Sequence, residues 1–239
     1  MNNDQPRAVE ETSSRPVALG IALIGGVVAA VLRIVPHPPN FSGVGGLGIF
    51  GGARLRAWQA FLLPVAIMFA SDLGLWLCTG LNDLYSPWHL SRLYVYGGFL
   101  CYVAIGCWLS ERDSIPAVAG AAVLGGIVFF VITNFFTWLL QPYEAGYELI
   151  QPPFKYSRDL DGLVTCFGYA LGFYRQDTAG MDYPFMLVTN FPFALVAWTI
   201  LGDIFFTSVY VLTDAKLSQP AASLESATAP TAKVSEVAV

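Results

Sequence analysis

The stretch PAVAGAAVLGGIVFFVITNFFTWLL, residues 116–140, decides the fold class. It runs for 25 residues without a charge. As an α-helix at about 1.5 Å per residue it is roughly 37 Å long, more than the roughly 30 Å hydrocarbon core of a bilayer. Four further apolar runs read the same way, at 16–33, 58–78, 93–109 and 185–212. The composition agrees: 55% of the chain is hydrophobic and only 12% charged, where a soluble domain carries about 25% charged residues. The mean hydropathy is +0.58. The first run is too long for a signal-peptide core and no small-residue cleavage site follows it, so it is expected to stay as a helix.

Between the first two apolar elements lies Arg33-Ile-Val-Pro36-His37-Pro38-Pro39-Asn40-Phe41-Ser42. Three prolines in four positions stop any helix. Residues 43–53 follow, with six glycines in eleven positions. A helix over 41–53, capped by Asn40 or Ser42, is roughly 20 Å long and too short for a full crossing. The expected fold is therefore an all-α integral membrane protein of about six transmembrane helices. The second is short and Gly-rich, either a thin span or a re-entrant one. Residues 1–15 and 214–239 read as disordered cytoplasmic tails. Residues 16–213 form one bundle, with an external loop region at 141–183.

Lys and Arg near the span ends set the orientation. With the N-terminus inside, Arg15, Arg54, Arg56, Arg112 and Lys216 fall inside, and Arg33, Arg92, Lys155, Arg158 and Arg175 outside. The short loops favour this arrangement. The expected location is the inner (cytoplasmic) membrane, with both termini in the cytoplasm.

Several function classes have no support. The net charge of −5 comes without a basic patch, so no nucleic-acid partner is expected. The cysteines Cys78, Cys101, Cys107 and Cys166 form no C-x-x-C pair, and the only histidines, His37 and His89, have no ligand-like neighbours. No metal and no cofactor is expected. Gly46-x-Gly48-x-x-Gly51 matches a dinucleotide fingerprint by letter only, since no strand precedes it. Close helix packing explains it better, helped by Gly48-x3-Gly52. No hydrolase motif occurs, so the chain is not expected to be an enzyme.

Charges inside a bilayer cost roughly 2.5–3.5 kcal/mol each, so they persist only against protein groups or water. Asp72 and Asp203 are the two membrane-embedded acids. In the six-span arrangement Asp72 and Asn134 both lie about seven residues from the outer ends of their helices. Arg33 and Trp138 lie near the same surface. This depth match points to an outward-facing cavity for a small molecule, lined by Arg33, His37, Asn40, Asp72, Asn134 and Trp138. The structural alternative is that Arg33 pairs with Asp72 and Asn134 bonds a neighbouring backbone. Asp203 lies deeper. The first span carries small residues at Ala18-x3-Ala22, a face suited to close packing within the chain or against a partner.

These motifs resemble a family. Arg33-Ile-Val-Pro-His-Pro-Pro-Asn-Phe-Ser, Phe50-Gly-Gly-Ala, Ser71-Asp72, Phe129-Phe-Val-Ile-Thr-Asn-Phe-Phe-Thr-Trp-Leu139, Asp161-Gly-Leu with Cys166, Pro192-Phe and Leu201-Gly-Asp203 resemble the DUF6580 family of small bacterial membrane proteins. The resemblance covers roughly Val17 to Val211. The plan is similar to the S component of energy-coupling factor (ECF) transporters. That implies six helices, cytoplasmic termini, and a small-residue face, here Ala18 and Ala22, that docks a transmembrane coupling subunit served by ATPases. The expected function is thus a small-solute-binding transport component, with the lipid bilayer as its setting. The alternative is a non-transport scaffold or partner subunit of an envelope complex. A third reading is an ion or proton path through Asp72 and Asp203.

Overall fold

The glycine-rich segment folds as a helix, α2 (Val44–Arg54), and sits at the centre of the bundle. The computed structural model describes residues 5–33, 35, 40–81, 86–109, 114–140, 157–171 and 195–218. The other described helices are α1 (Gln5–Leu32), α3 (Ala57–Cys78), α4 (Ser91–Leu109), α5 (Ile115–Leu140), α6 (Leu160–Leu171) and α7 (Leu195–Leu217). Every regular element among the described residues is helical.

Glycine puts α2 there. Its residues from Val44 to Gly51 are all buried. A Cβ on Gly52 would lie 2.2 Å from the Val103 carbonyl oxygen, and one on Gly106 would lie 2.2 Å from that of Ile49. The α2 and α4 backbones therefore touch, which only hydrogen side chains permit. Neither Asn40 nor Ser42 caps α2. The N-cap is Gly43, without a side-chain bond, and Asn40 is exposed in a left-handed turn at φ 60°. The short link to α3 holds because Gln59 Oε1 accepts from the Arg56 N–H at 3.4 Å, tying the start of α3 back on itself.

The contacts fix the helix directions. The α2 first turn meets α7 at Asp203, and its last residue, Arg54, pairs with Asp214. Gly48 meets Tyr102, and Gly52 meets Cys107. So α2, α4 and α7 run the same way. Thr137 near the end of α5 bonds Tyr94 near the start of α4, so α5 runs against them. Gly26 of α1 meets Ile67 of α3, and Arg33 meets Asp72. Hence α1 and α3 run alongside each other, and Ala60 near the start of α3 beside Gly51 opposes them to α2. One end of the bundle is marked by Arg33 and the other by Arg54.

Four helices are long and apolar enough to cross a membrane: Ala57–Cys78, Ser91–Leu109, Ile115–Leu140 and Val196–Leu217. Only 22–33% of the residues in their most apolar stretches are buried inside the bundle, and large apolar side chains such as Leu62, Leu77, Leu93, Leu124 and Leu201 stay exposed. Pro16–Leu32 is a shorter apolar helix. It presents Leu23, Ile24, Val27, Val28 and Val31 outward. Apolar belts of this kind suit the hydrocarbon of a bilayer better than water.

The described helices run further at both ends than the expected tail boundaries. α1 begins at Gln5, inside the stretch expected to be disordered. Ala8, Glu10 and Glu11 are good helix formers that extend the apolar helix outward. At the other end α7 continues to Leu217, past the tail boundary expected at 214.

Candidate functional site

At the Arg33 end, three polar side chains from two regions converge on Asp72. Asp72 is on α3 and fully buried. Arg33, in the turn after α1, places an Nη nitrogen 2.5 Å from Oδ1. Arg92, in the first turn of α4, places Nε 3.1 Å from Oδ2. Tyr96, one turn further along α4, donates its hydroxyl to Oδ2 at 2.7 Å. The arginine side chains keep 17% and 15% of their surface exposed while the carboxylate has none. The cluster thus has a fully enclosed carboxylate and, around it, a rim of two largely buried arginine side chains.

The other expected residues are placed differently. Asn134 donates to the Phe130 carbonyl of its own helix at 2.7 Å, and its own carbonyl receives the Cys166 thiol of α6 at 3.5 Å. Trp138 donates its indole N–H to the Ser157 carbonyl at 2.8 Å. Both join α5 to the region around α6, rather than to Asp72. Asp159 caps α6, accepting from the Gly162 N–H at 2.9 Å and the Ser157 hydroxyl at 2.6 Å. These bonds hold its carboxyl below the usual carboxylate range. Asn40 is exposed. His37, Asn190 and Pro192 lie outside the described residues.

Ala18 and Ala22 are buried in the bundle, clustered with Phe50, Phe206 and Tyr210. The face expected to dock a partner is therefore covered by this chain. Small side chains let α1 approach α2 and α7, and the space they leave is filled from within.

A second polar site lies at mid-height. The Tyr102 hydroxyl of α4 donates to Asp203 Oδ2. A Cβ on Gly45 would fall 2.1 Å from Asp203 Oδ1, so the carboxyl packs against the first turn of α2. Asp203 belongs to a buried polar stripe on α7: Thr199, Asp203, Thr207, Tyr210 and Asp214. Their spacing of three to four keeps them on one helix face. At its end Asp214 Oδ2 lies 3.1 Å from Arg54 Nε and ties α7 to α2.

Tyr96, Tyr102 and the members of the α7 stripe other than Asp203 are not singled out by sequence reasoning, and Arg92 enters it only as a charge that sets the orientation. The stripe had a signal, since a helix that is otherwise apolar carries polar residues at helical spacing. Tyr96 and Tyr102 had none beyond their hydroxyls. Among the described residues no group of three His, Cys, Asp or Glu side chains is arranged to hold a metal ion.

No curated protein and no solved structure matches the chain. A family model, described as a family of unknown function (DUF6580), matches residues 12–222. The match takes in α2, the Asp72 cluster and the whole polar stripe of α7. The chain belongs to the DUF6580 family.

Proposed function

We propose that the chain is a non-enzymatic, multi-pass protein of the inner membrane that binds a small solute at its Arg33 end and serves a transport system. The observation that carries this reading is the convergence of Arg33, Arg92 and Tyr96 on the buried Asp72. Ionisable groups embedded at membrane depth typically mark solute or ion pathways. The rim offers guanidinium groups, whose fork suits a carboxylate-like acceptor. The chain has no nucleotide-binding motif, so energy would come from partner subunits, such as a coupling subunit with ATPases. With Ala18 and Ala22 covered, such a partner would use another surface.

The helix directions favour six crossings, α1 to α5 and α7, with α2 as a half-length crossing. The Arg54 end then faces the cytoplasm, where the short loops carry Arg54, Arg56 and Arg112. The start of α1 and the end of α7 lie on that side, and α6 lies at the opposite one.

The test is a thermal-shift screen of the purified full-length protein against small carboxylates and other metabolites. A true ligand raises Tm in a concentration-dependent way and loses that effect in Arg33→Lys and Asp72→Asn. A stabilising compound that acts equally on wild type and both variants would sink the proposal. One observation favours the scaffold reading instead: both Asp72 oxygens are already engaged within the bundle. Under that reading the two variants lower Tm and change no ligand response.

A further inference from the structure

Asp203 is set apart from the other buried acids of the described core. Asp72 has two guanidinium groups beside it and Asp214 has Arg54. Among the described residues Asp203 makes no ion pair, and its side chain is met by the Tyr102 hydroxyl. The groups around it are accounted for by element. α2 presents Gly45 and α5 presents Gly126, neither titratable. α4 presents Tyr102. On α7 itself Thr207 follows one turn on, then Tyr210, whose hydroxyl donates to the Gly25 carbonyl of α1 at 3.4 Å.

The packing selects the ion. A hypothetical Gly45 Cβ would lie 2.1 Å from one carboxyl oxygen and a Gly126 Cβ 3.7 Å from the other. A hydrated metal ion does not fit between such surfaces, but a proton does. An isolated carboxylate in an apolar interior neutralises itself by taking up a proton. Beside it, the Thr207 hydroxyl is fully buried and has no hydrogen-bond partner. A hydroxyl both donates and accepts, and it turns to suit.

We propose that Asp203 is a proton-binding site in the middle of the bundle, filled and emptied from the Arg54 end past Thr207, whose buried hydroxyl lies one turn further along α7. On release the carboxyl O–H bond breaks, its electron pair stays on oxygen, and the proton passes to water at the Arg54 end. The carboxylate left behind is met by the Tyr102 hydroxyl and packs against the first turn of α2, the end at which a helix dipole favours negative charge. The site uses neither Arg33 nor Asp72, so it stands or falls apart from the solute reading.

The test is infrared difference spectroscopy of the full-length protein in lipid nanodiscs, stepped from acid to alkaline solution. Above about pH 5 exposed carboxyls are ionised, so a remaining carboxylic-acid carbonyl band reports a buried acid. Wild type shows this band, Asp203→Asn lacks it, and Tyr102→Phe keeps it at a changed frequency because one hydrogen bond is gone. Thr207→Val keeps the band but slows its response to a pH jump. A band that persists in Asp203→Asn, or no band in wild type above about pH 5, overturns the site. A Thr207→Val response as fast as wild type overturns the route.

Discussion

Replacing Gly52 with alanine tests the backbone contact between α2 and α4. The new Cβ would lie 2.2 Å from the Val103 carbonyl oxygen, 2.8 Å from the Cys107 nitrogen and 3.0 Å from the Gly106 carbonyl carbon. All three are backbone atoms, so no rotamer change relieves the overlap. An ordinary contact needs about 3.5 Å, so the helices must part by more than about 1 Å. Overpacking of this kind costs about 1–3 kcal/mol, occasionally more. Alanine returns up to about 1 kcal/mol through helix propensity. The expected net loss is about 1–2 kcal/mol. Gly120→Ala is the matched control, because nothing lies within 4 Å of its Cβ; it should be neutral or stabilising by up to about 1 kcal/mol. The assay is reversible denaturant unfolding in mixed micelles, with gel filtration to confirm folded protein. Equal stability of the two variants would refute the close approach of α2 and α4. Gly106→Ala, which meets the Ile49 carbonyl oxygen, should behave like Gly52→Ala and combine with it non-additively, because one parting relieves both.

Three further outcomes are expected. Asp72→Asn leaves Arg33 and Arg92 side by side without their carboxylate and should cost about 3–5 kcal/mol in the same unfolding assay, as loss of one partner of a buried pair does; Asp72→Glu should recover part of it. Arg54→Gln should cost less, about 1–2 kcal/mol, since a fifth of that side chain is exposed and screened; the double variant Arg54→Asp with Asp214→Arg should be more stable than either single change. Asp159→Ala should speed amide exchange in the first turn of α6, most at Gly162. The folded carboxyl of Asp159 is held low, so this cap is complete above the unfolded value of about 3.9 and is lost as pH falls through the folded one. Amide exchange at pH about 6 against pH about 3 reads the difference.

The spans of α3, α4 and α5 were legible because length and absence of charge are one-dimensional properties. The place of Asp72 toward the Arg33 end of α3 is legible for the same reason, by counting from a span end. The partners of Asp72 were not, beyond Arg33. A helix that is apolar all round carries no amphipathic signal to say which side faces in, so nothing turned Arg92 and Tyr96 toward α3 before the structure did. Asn134 shows a different limit. Its amide is satisfied by Phe130 one turn back on its own helix, and a pattern of letters cannot tell that local bond from one made across the bundle. The small face of α1 was read correctly as a packing face, but a stripe of Ala and Gly does not say who packs there. It was α7 and Phe50 of the same chain. The apolar run of the last helix starts at 185 in the sequence; residues 185–194 lie outside the described residues, and α7 is described from Leu195.

The burial of α2 has a consequence for how the protein is made. A segment of eleven residues with glycines at nearly every other position has little apolar surface to draw it out of water by itself. Its home is a groove whose walls are synthesised later: α4 begins at Ser91 and α7 only at Leu195. Until α7 emerges, Gly45 and Gly46 lack their cover and Arg54 lacks Asp214. The second helix of the chain is thus among the last to be secured, and any truncation ahead of α7 releases a half-built bundle with an open seam for quality-control proteases to grip.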